Sequence, residues 1–198
     1  MRGSTCLLAL FLFSTAADAE GIWAAGGQTF RGAASVIPSP DHGASLRETE
    51  EGLVLTGKIE MVLEGVLSLP PVTEILWASD SRSFVVNGSD GGTVGTWTAL
   101  YYPLDGEAID LSTLLPDSAR KLPRCKPSEP PNVGVAGWLD DGRELLVVAE
   151  APPHSSCRNM GALRGFRISL LQMTIAGELS EAELRRDWAR FLGPRFQR

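Results

Sequence analysis

The sequence has very few of the residues on which most metal sites and histidine-dependent catalytic sites rely. Among its 198 residues are only two histidines and three cysteines. A structural zinc site needs four Cys or His ligands at characteristic spacings, and no Cys-x-x-Cys pair accompanies His154-x-x-Cys157. We therefore predict neither a metal site nor a cofactor.

Recognisable catalytic motifs are also missing. No Gly-x-Ser-x-Gly elbow presents a serine nucleophile, and the glycine-rich run 88–95 lacks the Gly-Lys-Ser/Thr of a phosphate cradle. Asp140 and Asp141 are adjacent, so on a strand they would point to opposite faces, unlike the paired acids of a glycosidase. No catalytic residue is predicted.

The chain lacks both an excess of basic residues and long apolar runs. Its formal net charge is -6, which leaves no surplus of Lys and Arg to neutralise phosphate, so nucleic acid is not an expected partner. No stretch reaches the roughly 18 consecutive apolar residues of a membrane-spanning helix. The composition is that of a soluble globular domain.

Residues 1–19 have the parts of a secretory signal peptide. Arg2 precedes the apolar run 6–13, and small residues lead to Ala17 and Ala19 at the expected cleavage site. We expect an exported protein, periplasmic or extracellular, with one domain over 20–198 and no stable membrane insertion after cleavage. Arginine outnumbers lysine, a bias of GC-rich genes that favours a bacterial origin.

Export changes the interpretation of the cysteines, because structural disulfides form in oxidising compartments. Only Cys125 and Cys157 remain after the predicted cleavage. We predict that they form a disulfide bond, which stabilises by roughly 3 to 4 kcal/mol in the chain-entropy model. Metal binding together with His154, or a reactive thiol, are the alternatives.

Two segments of the chain repeat the same order of features. In 73–111, Trp77 leads into a turn-forming run and then an apolar strand, and in 133–179 Trp138 does the same. Asp and Gly accept turn geometry, while β-branched and aromatic residues suit a pleated, buried surface. Each segment is predicted to form a meander of four antiparallel strands.

A weaker repeat and a helix complete the predicted domain. The segment 33–69 has a similar turn after Pro38, followed by strand-like alternation. After the last repeat, Ser180 and Glu183 have the spacing of a capping box, which predicts an amphipathic helix over 180–192. The predicted fold class is mainly β, with four-stranded antiparallel meanders and this C-terminal helix.

The repeated unit consists of a Trp or Pro, an Asp- and Gly-containing turn and an apolar strand. It resembles the blade motif of β-propellers, especially the Tol-type periplasmic repeats and, more distantly, WD repeats. The resemblance implies blade-like sheets of four strands. At most three such blades fit here, against about four to eight in a closed ring. The alternatives are an incomplete ring, an open sheet or sandwich, and a ring completed between chains.

Five residues are candidates for binding. Trp97 and Tyr101 are four positions apart and so share one strand face, either in a packed core or as an exposed aromatic platform. His154 lies in the long loop 150–162, and Arg164 and Arg167 lie on the strand that follows it. Loops of this kind often carry binding residues.

Taken together, these features predict an exported binding or protein-interaction module without catalytic activity. The expected partner is an unidentified protein or small molecule, and a second copy of the chain could complete the ring. The alternative is a secreted hydrolase whose site is assembled from residues that no motif marks.

Overall fold

The computed structural model describes residues 22–30, 35–50, 52–57, 60–63, 73–90, 96–120 and 129–197. The predicted signal peptide, Cys125 and the run 91–95 lie outside these ranges. The described chain is mainly β, with three antiparallel sheets and a helix near the C-terminus, which confirms the predicted fold class. Within the described ranges, no helix has both the length and the apolar character needed to cross a membrane.

The three sheets are built as meanders, in which each strand pairs with its neighbour along the chain. The strands are β1 (Gln28–Thr29), β2 (Val36–Pro38), β3 (Ser45–Thr49), β4 (Gly52–Thr56), β5 (Glu60–Val62), β6 (Thr73–Trp77), β7 (Ser83–Ser89), β8 (Trp97–Pro103), β9 (Ile109–Asp110), β10 (Asn132–Leu139), β11 (Glu144–Glu150), β12 (Leu163–Ser169) and β13 (Thr174–Ser180). The first sheet is β2–β5, the second is β6–β9 with β1 added beside β6, and the third is β10–β13. The two repeated tryptophans occupy equivalent places, since Trp77 ends β6 and Trp138 lies next to the end of β10.

The second sheet lies between the other two. Phe84 and Val86, on one face of β7, pack in a core with the first sheet, whereas Val85, on the other face, packs in a core with the third. Burial of both faces explains why the apolar run of β7 is continuous instead of alternating. The same holds for β11, where the residues from Leu145 to Ala149 are all fully buried.

Neighbouring sheets are also joined through hydrogen bonds near their repeated turns. The amide of Asp41 donates to Ser81 Oγ at 3.0 Å, which links the turns of the first and second sheets. Trp138 Nε1 donates to the carbonyl oxygen of Leu76 at 3.2 Å, which links the third sheet to β6. The turns are therefore brought together at one end of the stacked sheets.

The C-terminal segment covers the outer face of the third sheet. The described residues form two short α-helices, α1 (Asp117–Arg120) and α2 (Glu181–Asp187). The amide of Ser180 donates to the Glu183 carboxylate at 2.8 Å, and the Ser180 hydroxyl accepts from the Glu183 amide, so the capping box is formed. The helix is shorter than the predicted 180–192 because Trp188 leaves the helical conformation (φ -119, ψ 6), and the chain continues as a 3-10 turn.

The N-terminal segment 22–29 connects the C-terminal segment to the second sheet. Ala24 forms a β-bridge with Leu192, and β1 then pairs with β6, so that the second sheet has five strands instead of the predicted four. The ring of Trp23 is fully buried, and a Cβ added at Gly134 would lie 2.1 Å from it. The close approach of this ring to β10 therefore requires glycine at position 134.

Candidate functional site

A cleft is formed where the ends of β6 and β10 meet the C-terminal segment. Its volume is about 770 Å³, within the roughly 300 to 1,000 Å³ typical of small-molecule sites. Aromatic, acidic and basic side chains from three parts of the chain line it: Trp77, Ser79, Trp138, Leu139, Asp140, Asp141, Gly142, Glu144, Arg167, Trp188, Arg190 and Phe191.

One side of the cleft is a turn with an unusual backbone. Asp140 (φ 49), Asp141 (φ 52) and Gly142 (φ 87) lie consecutively in the left-handed region. Asp adopts this conformation more readily than most residues because its short polar side chain can bond locally. Arg143 fastens the turn, since its Nη2 donates to Asp140 Oδ1 at 2.8 Å and its Nε donates to the Asp140 carbonyl oxygen at 3.1 Å.

The aromatic rings of the cleft are held in defined orientations. The hydrogen bond from Trp138 Nε1 to Leu76 fixes one edge of that indole, and Tyr101 packs edge-on against it with ring centroids 6.3 Å apart. On the C-terminal segment, Trp188 and Phe191 pack with centroids 5.8 Å apart. The rings therefore form preorganised walls, which lowers the entropic cost of binding.

The charged side chains of the cleft also engage one another or an aromatic ring. Arg167 Nε lies 3.2 Å from Glu144 Oε2, and the Cζ atom of Arg190 lies 4.8 Å from the centroid of Phe191. The Arg167 and Glu144 side chains are 37% and 20% exposed, whereas Arg167 Nε itself is buried, so a ligand can reach this pair only through its other atoms. The cleft can thus offer hydrogen-bond donors and acceptors side by side.

The structure separates the five predicted binding residues. Arg167 lines the cleft. Tyr101 does not line it but packs against the ring of Trp138, which does. Trp97 is a core side chain, 6% exposed, and offers no open platform. His154 and Arg164 are exposed, and neither lines the cleft.

Sequence reasoning did not identify the contribution of the C-terminal segment or of the acidic turn. Trp188, Arg190 and Phe191 fall within the predicted helix 180–192, and Asp140 and Asp141 fall within the turn-forming run after Trp138, where neither pattern marks them as binding residues. The signal that pointed to this place is the recurrence of a tryptophan just before the turn in both full repeats. Trp77 and Trp138 belong to different sheets, yet both line the cleft.

Cys157 is buried, with 2% of its surface exposed. Because Cys125 lies outside the described residues, its pairing with Cys157 stays a prediction. In the described part of the chain, no group of three or more His, Cys, Asp and Glu side chains is arranged to hold a metal ion.

A buried carboxylate lies beside the N-terminal segment. Glu74 on β6 is fully buried, and it accepts hydrogen bonds from the amides of Trp23 at 2.9 Å and Ala24 at 3.0 Å and from Asn87 Nδ2 at 3.0 Å. Burial raises its pKa to about 7, although these donors and the charge of Arg195 act in the opposite direction. Glu74 is therefore a buried group that titrates close to neutral pH.

A buried ion pair holds the C-terminal end of the chain. Arg195 Nη2 lies 2.5 Å from Glu150 Oε2, with side chains only 10% and 8% exposed. The Cζ atom of Arg195 also lies 4.8 Å from the ring centroid of Trp23 and 5.2 Å from that of Trp97. Asn132 completes the group, donating to Glu150 at 3.4 Å and accepting from the Trp97 amide at 3.1 Å. These contacts fix the segment that carries Trp188 and Phe191.

Comparison with known proteins adds no assignment to the cleft. No family model matches the chain, and neither a curated protein nor a solved structure matches it. The function has to be inferred from the geometry and chemistry of the cleft itself.

Proposed function

We propose that the protein is an exported binding module that holds a ligand in the cleft and has no catalytic activity of its own. The observation that carries this proposal is the convergence of three of the five tryptophans on one preorganised cleft that also presents carboxylates and guanidinium groups. In this proposal the sheets are blades of a propeller-like domain with an incomplete ring. A second copy of the chain is the candidate for completing it.

The chemistry of the cleft favours binding over catalysis. A general base must reach the reacting proton in a suitable state, and histidine is the residue most often used. Neither His42 nor His154 lines the cleft. Glu144 and Asp140 are engaged by Arg167 and Arg143. This arrangement is better suited to recognising polar groups than to transferring protons.

Ligand binding is expected to perturb a specific subset of indole signals in NMR spectra. The five indole N–H groups of the ¹⁵N-labelled mature protein would be observed during titration with neutral tetrasaccharides, an alkylammonium salt, a dicarboxylate and a short peptide. We expect at least one compound to shift the signals of Trp77, Trp138 and Trp188, because these residues line the cleft.

The two tryptophans outside the cleft provide an internal control for that experiment. Trp23 and Trp97 do not line the cleft, whereas Trp77 lines it although only 7% exposed, so the Trp23 and Trp97 signals are expected to move little. If no compound in the panel shifts the three cleft signals, or if all five signals move together, the proposed binding site is wrong. Release of a cleaved product from any compound would instead support a hydrolase.

Export predicts that the mature protein contains a Cys125–Cys157 disulfide. Mass spectrometry of the non-reduced protein, after proteolysis, should recover one peptide pair linked through these two residues. Reduction should lower the unfolding midpoint, because the cross-link restricts the unfolded chain. Alkylation of both residues without prior reduction would contradict the pairing.

A further inference from the structure

Two of the three carboxylates that line the cleft are already paired. Asp140 is held by Arg143 at 2.8 Å, and Glu144 lies 3.2 Å from Arg167. A charged ligand placed at either pair would have to compete with the existing contact. A neutral hydroxyl group, in contrast, can accept from the guanidinium and donate to the carboxylate of the same pair.

The second cation that lines the cleft, Arg190, is also engaged. The Arg190 guanidinium lies over the ring of Phe191, an arrangement stabilised by the negative face of the aromatic system. Asp141, exposed at the turn, adds one further carboxylate that can accept hydrogen bonds. Ligand recognition here therefore needs hydrogen-bonding groups of both kinds and does not need a net charge.

The indole rings provide the apolar surface of the cleft. Trp138 and Trp188 are both partly exposed, and Trp77 closes the cleft on the side of the second sheet. Flat apolar faces next to polar groups suit a ligand that is apolar on one face and polar around its edge.

We propose that the cleft binds a neutral saccharide, whose C–H faces pack on the indole rings while its hydroxyl groups bridge the Glu144–Arg167 pair. This inference rests on the proposed function and adds the chemical class of the ligand. A neutral sugar combines an apolar face with hydroxyl groups that both donate and accept, and it leaves the existing ion pairs intact.

The indole titration distinguishes this inference from the proposed function. The saccharide probes are tetrasaccharides of β-glucan, α-glucan, chitin and mannan. We expect at least one to shift the signals of the three cleft tryptophans, with an affinity that changes less than about twofold between low and high salt, because a neutral ligand is not screened. If only the charged compounds shift these signals, the binding site stands and the saccharide assignment is overturned. If no compound shifts the three cleft signals, both the proposed binding site and the saccharide assignment are wrong.

Two arginines on the same strand provide matched variants. Arg167→Gln is expected to weaken binding of the active tetrasaccharide about tenfold or more, the effect of losing a hydrogen bond to a charged group. Arg164→Gln, at an exposed position outside the cleft, should change the affinity less than about twofold. The unfolding midpoint of each variant shows whether it is folded. Equal affinities for the wild type and a folded Arg167→Gln variant would overturn the proposed role of the pair.

Discussion

Replacing Arg195 with methionine is expected to lower the free energy of unfolding by about 3 to 5 kcal/mol. The substitution keeps an unbranched apolar side chain beside Trp23 and Trp97 but removes the charge that neutralises Glu150, whose side chain is only 8% exposed. An unpaired carboxylate at such a buried site lowers the free energy of unfolding by more than the loss of one hydrogen bond does. Urea unfolding of the protein, followed by tryptophan fluorescence, measures the change.

A double-mutant cycle separates the ion pair from the packing of the arginine stem. Glu150→Gln removes the charge that becomes unpaired, so combining it with Arg195→Met should cost less than the sum of the two single changes. Arg190→Met is the control, because the Arg190 guanidinium is exposed and lies over the ring of Phe191. Its removal leaves no buried charge unpaired, so it should change the free energy of unfolding little. An Arg195→Met variant within about 1 kcal/mol of the wild type would contradict the assigned role of the buried pair.

The ion pair also links stability to the cleft. Arg195 lies a few residues beyond Trp188 and Phe191, and the intervening segment is bonded to the N-terminal segment 22–29 through the bridge between Ala24 and Leu192. Loss of the anchor should loosen this segment before the sheets unfold. The cleft is therefore expected to be more sensitive to substitutions at the C-terminal end than the rest of the fold is.

The elements that the sequence predicted well are those encoded by local patterns. The turns near Trp77 and Trp138 and the apolar runs that follow them are specified within a few residues by turn chemistry and strand preference. The capping box of Ser180 and Glu183 is similarly local. These short-range signals were enough to predict meanders of four strands and the start of α2.

The elements that the sequence did not predict depend on contacts between distant residues. Glu74 is an acidic residue in a strand, and nothing near it indicates that it binds the amides of Trp23 and Ala24, about fifty positions earlier. The sequence around Arg195 likewise gives no sign that this residue pairs with Glu150 in the interior. Such pairings arise from the packing of the sheets and leave no periodic signal.

Titration of Glu74 is expected to make the protein less stable as the pH rises from about 4.5 to about 7. The pKa of this buried carboxyl is raised to about 7 in the folded protein, against 4.5 as its ordinary value. The unfolded chain therefore ionises first, and folding is penalised progressively across this window. The penalty reaches about 3 kcal/mol above pH 7, since one pKa unit corresponds to roughly 1.4 kcal/mol.

Glu74→Gln isolates this contribution. The amide cannot ionise, so the difference in unfolding free energy between the wild type and the variant should change across the pH window and become constant outside it.

The variant also loses one acceptor oxygen opposite three donors, which lowers the free energy of unfolding by about 1 to 3 kcal/mol at every pH. Glu178→Gln, at an exposed position on β13, is the control and should follow the wild-type profile. Parallel pH profiles for the wild type and Glu74→Gln would show that Glu74 does not titrate in this range, and the N-terminal segment would then be held by a carboxylate that stays ionised throughout.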